Sequence, residues 1–417
     1  MRKLMSLLPV VLAPFVAAGC SDRDAAQWAG NVTDSAGITI VANPDVGLWT
    51  DTDRWQVEQV LSIGTAEGDP DYQFGQVAAL TVLDDGRIYV LDTQGQHVKA
   101  FSPAGEFLMT IGGPGNGPGE LARGASAIVR GPGDTLLVVD SQNQRVNRYL
   151  TDGTTAGSFR LSITDGIPLR MAGSRQGLLV GQFRPLALPN QPAPDSMDVV
   201  VSRNAVGEIV DTLFTFRSGA SFSFASGRPE FKLFSSEPIW ALRPGPRIMF
   251  GVNSEYRIGT YAADGTLERI ITKPFTRDLV SEADQQTLIN AMERVWKQFG
   301  VPPQQLAVLK DGIGFAEFYP AYFQTLSGPN ESIWVQQLQT PASLSGQALE
   351  DYNPQTDLGS PNWDVFDSDG RFLGVVRMPN RFQPLQFLDD RIYGIGRDEL
   401  DVQYVIVMRI NGAVATD

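Results

Sequence analysis

The sequence predicts an all-β fold, a six-bladed β-propeller of four-stranded antiparallel blades, closed by an N-terminal strand and carrying one helical insertion. One pattern of strand, polar loop, strand and Gly turn recurs along the chain, and a period of about 40–50 residues is typical of propellers. The pattern occurs six times. The 42 glycines and 9% aromatic residues also fit short strands joined by tight turns.

The first 20 residues have the features of a bacterial lipoprotein signal peptide. Arg2 and Lys3 precede an apolar run that is short and interrupted by two prolines, so it does not suit a transmembrane helix. The run ends in Ala-Ala-Gly-Cys, which resembles a lipobox and predicts lipidation of Cys20, the only cysteine in the chain. Cleavage by a general signal peptidase near Ala18 is the alternative. With Cys20 lipidated, no thiol remains for a disulfide.

The residues after Cys20 predict the domain organisation and the location of the protein. Residues 21–35 are expected to form a flexible tether, and residues 36–417 the propeller. We expect the protein in the bacterial cell envelope, held by acyl chains and not by a spanning helix. Ser21 stands where lipoproteins retained in the inner membrane often carry Asp, which favours the outer membrane. The net charge of −14 argues against nucleic acid as a partner.

Two early repeats define the blade pattern. Asp92 and Asp140 end equivalent strands, Gly105 and Gly153 occupy equivalent turns, and each pair is separated by 48 residues. Alternating apolar strands broken by Asp-Gly or Gly turns indicate antiparallel meanders. Four looser copies follow at residues 177–210, 247–267, 332–372 and 391–412.

Two N-terminal segments lie outside the repeats. The stretch from Val57 to Gly64 resembles the last strand of a repeat but precedes the first complete one. It is expected to complete the last blade near Gly412, because such pairing closes the ring and removes an exposed sheet edge. Residues 38–41 are expected to add a further edge strand.

A helical insertion at about 278–300 interrupts the repeats. Ser281 is the expected N-cap, with acidic residues in the first turn, and Gly300 and Pro302 are the expected end of the helix. We expect the helix either to pack against the fourth and fifth blades or to form a lid or docking element over the channel mouth. Its apolar face is predicted to consist of Leu288, Met292, Val295, Trp296 and Phe299.

Two motifs carry a resemblance to a known family. Residues 139–146 (VDSQNQRV) and 111–121 (IGGPGNGPGEL) resemble NHL-type six-bladed propellers, with specific similarity over about 74–153. The leader, residues 34–41 and the Gly-Pro-Gly-Glu loop resemble secreted bacterial propeller lipoproteins. Because that group mostly lacks an assigned reaction, the resemblance implies a fold more than a function.

Loop residues supply the candidate ligand contacts, and no catalytic residue is assigned. Two pairs, Tyr72 with Phe74 and Glu120 with Arg123, lie in matching connections between blades. Asp92 and Asp140 have a structural alternative, which is to fix the loop after their strand. A single histidine, His97, excludes a three-histidine zinc site. The predicted ligand residues are Tyr72, Phe74, Asp92, Glu120, Arg123, Asp140, Tyr319 and Tyr322.

These observations favour a binding scaffold over an enzyme. Loops on one face of the ring would hold a protein, peptide or glycan ligand. The alternative is a Ca²⁺-dependent hydrolase, lactonase or lyase, which needs three or more Asp, Glu or Asn oxygens from different blades in the central channel. A scaffold would instead have apolar or arginine-lined channel walls. A third interpretation is a passive subunit of an envelope complex, marked by a large exposed apolar patch.

Overall fold

A computed structural model describes residues 28–174, 177–185, 197–219, 221–223, 230–245, 247–354 and 356–412. Within these ranges the chain forms six antiparallel blades and a small three-stranded sheet. The predicted six-bladed propeller is confirmed. The chain begins with strands β1 (Asn31–Ser35), β2 (Ile38–Ala42) and β3 (Gln56–Ile63).

Blades 1, 2 and 3 follow in chain order, with four strands each. Blade 1 consists of β4 (Val77–Val82), β5 (Ile88–Asp92), β6 (His97–Phe101) and β7 (Phe107–Ile111). Blade 2 consists of β8 (Ala125–Arg130), β9 (Thr135–Asp140), β10 (Arg145–Leu150) and β11 (Thr155–Arg160). Blade 3 consists of β12 (Ile167–Gly173), β13 (Leu179–Arg184), β14 (Met197–Arg203) and β15 (Ile209–Arg217).

The remaining strands form blades 4 to 6 and the small sheet. The small sheet combines β16 (Phe222–Ser223), β17 (Glu230–Leu233) and β22 (Ile313–Phe315). Blade 4 contains β18 (Pro238–Leu242), β19 (Ile248–Val252), β20 (Arg257–Tyr261) and β21 (Leu267–Thr272). Blade 5 contains β23 (Gln324–Ser327), β24 (Ile333–Leu338), β25 (Gly359–Phe366) and β26 (Phe372–Arg377). Blade 6 contains β27 (Phe382–Leu388), β28 (Arg391–Arg397) and β29 (Gln403–Asn411).

The hydrophobic core lies between the blades. Every residue of β5 is buried, because each blade is covered on both faces by its neighbours. Tyr89 and Leu91 pack toward blade 2, whereas Ile88 and Val90 pack toward blade 6. The apolar runs of the second strands follow from this two-sided burial.

The N-terminal segment joins the outer edges of three blades. Strand β3 pairs with β29, with Val57 opposite Ile410, which confirms the predicted closure of the ring. Strand β2 pairs in parallel with β21 of blade 4, as the predicted edge strand. Between them, the backbone amide of Trp49 donates to Leu373 in β26. Residues 31–35 form a strand beside β2, so this part of the expected tether belongs to the fold.

The helical insertion is longer than predicted. Helix α1 (Glu282–Gln298) begins at the predicted N-cap, where Ser281 Oγ accepts from the Asp284 amide. A second helix, α2 (Pro303–Asp311), follows at once. Phe299 is 80% exposed, so the buried face of α1 ends before it. The other helical segments are α3 (Gln347–Glu350) and 3-10 turns at Pro70–Tyr72, Ile163–Asp165, Pro329–Glu331 and Pro341–Ser343.

The two faces of the ring differ in their connections. First strands of neighbouring blades contact one another, which places them around the axis as the inner strands. Because successive strands alternate in direction, connections between blades leave the same face as the loops between second and third strands. In the part of the chain that the structure describes, three large insertions lie on this capped face, namely 218–237 and 339–358 in their described parts and 273–323. The opposite, hairpin face carries short turns. Among the described residues, none of the helices has the length and apolarity needed to span a bilayer.

Candidate functional site

Three insertions from distant parts of the sequence form a cap with a core of its own. Strands β17 and β22 pair in parallel, with Leu233 opposite Phe315, and this pairing joins the first insertion to the second. Phe234 of the first insertion, Leu288 of the second and Tyr352 of the third then pack in one buried cluster, so all three insertions contribute to it. The cap is therefore a structural unit built on the capped face.

A buried polar network connects blades 4 and 5 beside the cap. Asp364 is 1% exposed and accepts from Tyr256 Oη at 2.6 Å, Lys273 Nζ at 3.0 Å and Gln337 Nε2 at 2.8 Å. Burial, reinforced by the Asp364 carboxylate, raises the pKa of Tyr256 well above its ordinary value. A buried carboxylate with a cation and two further donors is a stable way to join two blades.

Tyr319 and Tyr322 belong to the core. The Tyr319 ring lies 4.7 Å from the Phe234 ring inside the cap. Tyr322 has no exposed surface and its ring lies 5.6 Å from that of Tyr256. Burial raises the pKa of Tyr322. The sequence predicted both tyrosines as ligand contacts, but their burial assigns them to packing because aromatic clusters serve a core equally well.

Asp92 and Asp140 hold loops on the capped face. The Asp92 carboxylate accepts from the backbone amides of Gly75, Gln76 and Gly95 at 2.8–2.9 Å. Asp140 accepts from the amide of Ala122 and from Asn143. Burial favours a raised pKa for Asp92, but the three amide donors outweigh it and lower the pKa. This geometry supports the loop-fixing role.

Three other predicted ligand residues also stabilise connections between blades. Tyr72 Oη accepts from the amide of Phe107 at 3.0 Å, and the Phe74 ring lies 6.0 Å from that of Phe101. Glu120 Oε2 accepts from the amide of Gly117 at 2.7 Å.

Arg123 differs from the other predicted ligand residues. It is exposed, and its guanidinium makes no hydrogen bond or ion pair within the described ranges. Of the eight predicted ligand residues, Arg123 is the one exposed side chain whose polar group has no hydrogen bond or ion pair within the described ranges.

The inner strands around the channel carry apolar and uncharged polar side chains together with two arginines. The six inner strands, β4, β8, β12, β18, β23 and β27, contain no Asp or Glu, and Arg130 and Arg170 are their charged residues. Across the described part of the chain, no group of three or more His, Cys, Asp and Glu side chains is arranged to hold a metal ion.

An exposed apolar surface on the cap was not predicted from the sequence. Phe299, Val308 and Leu309 are 80%, 62% and 38% exposed, and we name these three the α1–α2 surface. The helical periodicity placed Phe299 on a buried face. The Pro302-Pro303 pair was the available signal for a second helix, because proline is favoured at the first helical position. The predicted lipidation site, Cys20, lies outside the described residues.

Comparisons with known proteins concern the fold. A family model described as a 6-bladed beta-propeller matches residues 65–178, which span the first two blades. No curated protein matches the chain. A member of the DUF4221 family from Bacteroides vulgatus has a similar structure, with a TM-score of 0.51, 10% identity, and 85% of this chain and 98% of that chain covered.

Two further solved structures give lower TM-scores. A candidate exported protein from Bacteroides fragilis gives a TM-score of 0.49 at 13% identity, covering 89% of this chain and 99% of that one. The calcium-binding protein regucalcin from Agrobacterium tumefaciens gives 0.40 at 10% identity, covering 83% and 94%. At such identities a structural match concerns the propeller fold alone.

Proposed function

We propose that this protein is a scaffold of the bacterial cell envelope that binds a protein partner through its capped face. The observation that carries the proposal is the placement of the cap. Insertions from three connections share one core and emerge on one face, while the hairpin face retains short turns. Rigid repeat frameworks that carry elaborated loops on one face use that face for binding.

The α1–α2 surface supports a protein or peptide as the ligand class. Phe299 and Val308 are among the most exposed large apolar side chains of the described chain, and both belong to the two helices of the cap. Exposed apolar groups on one element mark partner sites, and aromatic anchors provide much of the binding energy of protein interfaces. A glycan would instead need polar side chains around an aromatic platform.

The proposed location is the outer membrane, through lipidation of Cys20. Because Trp28 Nε1 donates to Asn43 Oδ1, the tether between Cys20 and the fold would comprise residues 21–27, which span at most about 25 Å when extended. A tether of this length would keep the propeller close to the membrane and leave the cap accessible to other envelope proteins.

Site-specific photo-crosslinking tests the proposal with a matched pair of positions. Val308 lies on the cap and is 62% exposed, whereas Val206 lies on the hairpin face and is 58% exposed. A photo-reactive residue at Val308 should give a discrete crosslinked species in intact cells, and the same residue at Val206 should not. Equal crosslinking from both positions, or none from Val308, would contradict the proposal.

Calcium titration of the soluble domain distinguishes the scaffold from the calcium-dependent enzyme. A calcium site in the channel predicts stoichiometric binding with a raised melting temperature. The scaffold predicts no such binding at millimolar Ca²⁺. Stoichiometric binding would move the assignment to channel chemistry, and a panel of lactones and esters would follow.

A further inference from the structure

Arg170 occupies an unusual position in the channel wall. It lies on β12, the inner strand of blade 3, next to an irregularity in the pairing of β12 with β13. Its guanidinium carbon is 5.1 Å from the ring centroid of Trp240, which lies on β18, the inner strand of blade 4. The side chain is half-buried. Because β12 and β18 are the inner strands of neighbouring blades, the guanidinium lies between blades 3 and 4 beside the channel.

A chain of buried hydrogen bonds fixes the aromatic platform beneath Arg170. Trp240 Nε1 donates to Gln182 Oε1 at 2.8 Å, and Gln182 Nε2 donates to Asp198 Oδ2 at 2.8 Å. Trp240, Gln182 and Asp198 are 1%, 6% and 0% exposed. The indole is therefore held in one orientation, and the guanidinium that stacks on it is preorganised.

The carboxylate at the base of this chain does not neutralise Arg170. Asp198 accepts two hydrogen bonds from Arg184, at 2.8 and 3.1 Å, and one from Ser218 Oγ at 2.6 Å. The Arg184 ion pair already balances the charge of Asp198. Asp198 and its donors form a closed, satisfied group, and the positive charge of Arg170 remains outside it.

Arg170 lacks a counterion in the described structure. None of the described residues forms a hydrogen bond or an ion pair with its guanidinium, and no inner strand carries a carboxylate. Burial lowers the pKa of Arg170 to about 10, so the group stays charged at neutral pH. The guanidinium has no counter-charge among the described residues, and an anionic ligand would supply one.

We propose that Arg170, stacked on Trp240, forms an oxyanion-binding site in the channel wall. The ligand class is a molecule with a carboxylate or phosphate group, because the planar guanidinium can donate two parallel hydrogen bonds to either. No carboxylate on the inner strands competes for those donors. The site is separate from the α1–α2 surface and goes beyond the proposed function.

Anion-dependent melting of the soluble domain tests the site. Sodium phosphate and sodium acetate are each titrated against sodium chloride at matched ionic strength, in the wild type, Arg170→Met and Arg160→Met. Arg160 is an exposed arginine on β11 and serves as the control. Phosphate also stabilises proteins generally by exclusion from their surface, and that effect is shared by all three proteins.

In the wild type and Arg160→Met, the melting temperature should show an additional, saturable rise of at least about 2 °C with the anion, and this rise should be absent in Arg170→Met. If phosphate alone gives it, the ligand carries a phosphate group; if acetate also gives it, a carboxylate is sufficient. An equal rise in Arg170→Met, or no saturable rise in the wild type with either anion, would overturn the proposal.

The stability of the variants without added anion separates binding from a packing role. Arg170→Met should be at least as stable as the wild type in chloride, because it removes an uncompensated charge at similar volume. A loss of stability that is the same with and without phosphate would instead show that Arg170 only packs against Trp240. Arg170→Lys keeps the charge but loses the planar fork, and should give a reduced anion response. If Arg170→Met does not fold, Arg170→Lys provides the test of the site.

Discussion

The capped face and the hairpin face use aspartate in opposite ways. On the capped side, Asp92, Asp140, Asp198 and Asp364 are at most 2% exposed, and each accepts several hydrogen bonds from separate parts of the chain. On the hairpin side, Asp85, Asp152 and Asp264 are exposed, and each accepts from the amide two residues further on.

This difference explains where the chain can vary. An exposed aspartate that closes its own turn specifies a turn of one length. A buried carboxylate instead joins separate connections at single points, as Asp92 accepts from Gly75 before β4 and from Gly95 between β5 and β6, and it does not set the length of either connection. The capped face can therefore carry insertions without losing the ring, which suits it for binding. Three pairs of substitutions test the contrast, from the largest expected effect on stability to the smallest.

The largest contrast is between Asp364 and Asp84. Asp364→Ala should lower the free energy of unfolding by about 3–5 kcal/mol, because it leaves the partly buried Lys273 ammonium and the buried Tyr256 hydroxyl without their acceptor. Asp84 forms an ion pair with Arg130 at 2.6 Å on the hairpin face, and its side chain is 73% exposed. Asp84→Ala should cost at most about 1 kcal/mol. Urea unfolding measures both, and similar losses would break the contrast.

Two neighbouring tyrosines give the second contrast. Tyr256→Phe removes a hydrogen bond of 2.6 Å to a buried carboxylate and should cost about 1.5–3 kcal/mol. The Tyr322 hydroxyl is buried and has no hydrogen-bond partner in the described structure. Tyr322→Phe should therefore be neutral or slightly stabilising. A large loss in Tyr322→Phe would show that its hydroxyl has a role that the geometry does not reveal.

The third prediction concerns pH. The folded pKa of Asp92 lies below its ordinary value of 3.8, so its contribution to stability is present above that value and is lost as pH falls through the folded pKa. Asp92→Asn should cost about 1–3 kcal/mol at neutral pH, and its difference from the wild type should shrink below about pH 4.

Asp264→Asn is the matched substitution on the hairpin face. Asp264 is fully exposed, and the Thr266 amide is the main cause of its lowered pKa. Asparagine can accept the same hydrogen bond in a turn, so we expect a smaller change than for Asp92→Asn. Unfolding measured from pH 3 to 7 checks the pair. A difference between Asp92→Asn and the wild type that stayed constant with pH would contradict the assigned role of the Asp92 charge.

The regular part of the fold could be predicted from the sequence because the relevant signals are local. The separation of Asp92 and Asp140 identified equivalent strands, and Ser281 identified the start of a helix. The closing strand was predictable from an unpaired copy of the blade pattern around Val57. Each of these depends on residues close together in the chain.

The cap could not be predicted because its contacts are not local. Phe234, Leu288 and Tyr352 belong to three separate insertions, and no periodic pattern relates them. The same reason explains the misplacement of Tyr322, since sequence alone does not distinguish an aromatic residue in a loop from one beneath a cap. The channel position of Arg170 also depends on the register of β12, which contains an irregularity.

The most direct test of the central claim combines Phe299→Ser with Val308→Ser and measures affinity for the partner crosslinked from Val308. Both side chains are mostly exposed, so the unfolding free energy should change little. The dissociation constant should rise at least about tenfold, because two apolar anchors of an interface are lost. The matched control on the hairpin face, Val206→Ser, should leave it unchanged. An unchanged dissociation constant in the double variant, or an equal rise in Val206→Ser, would contradict a capped face that binds a protein.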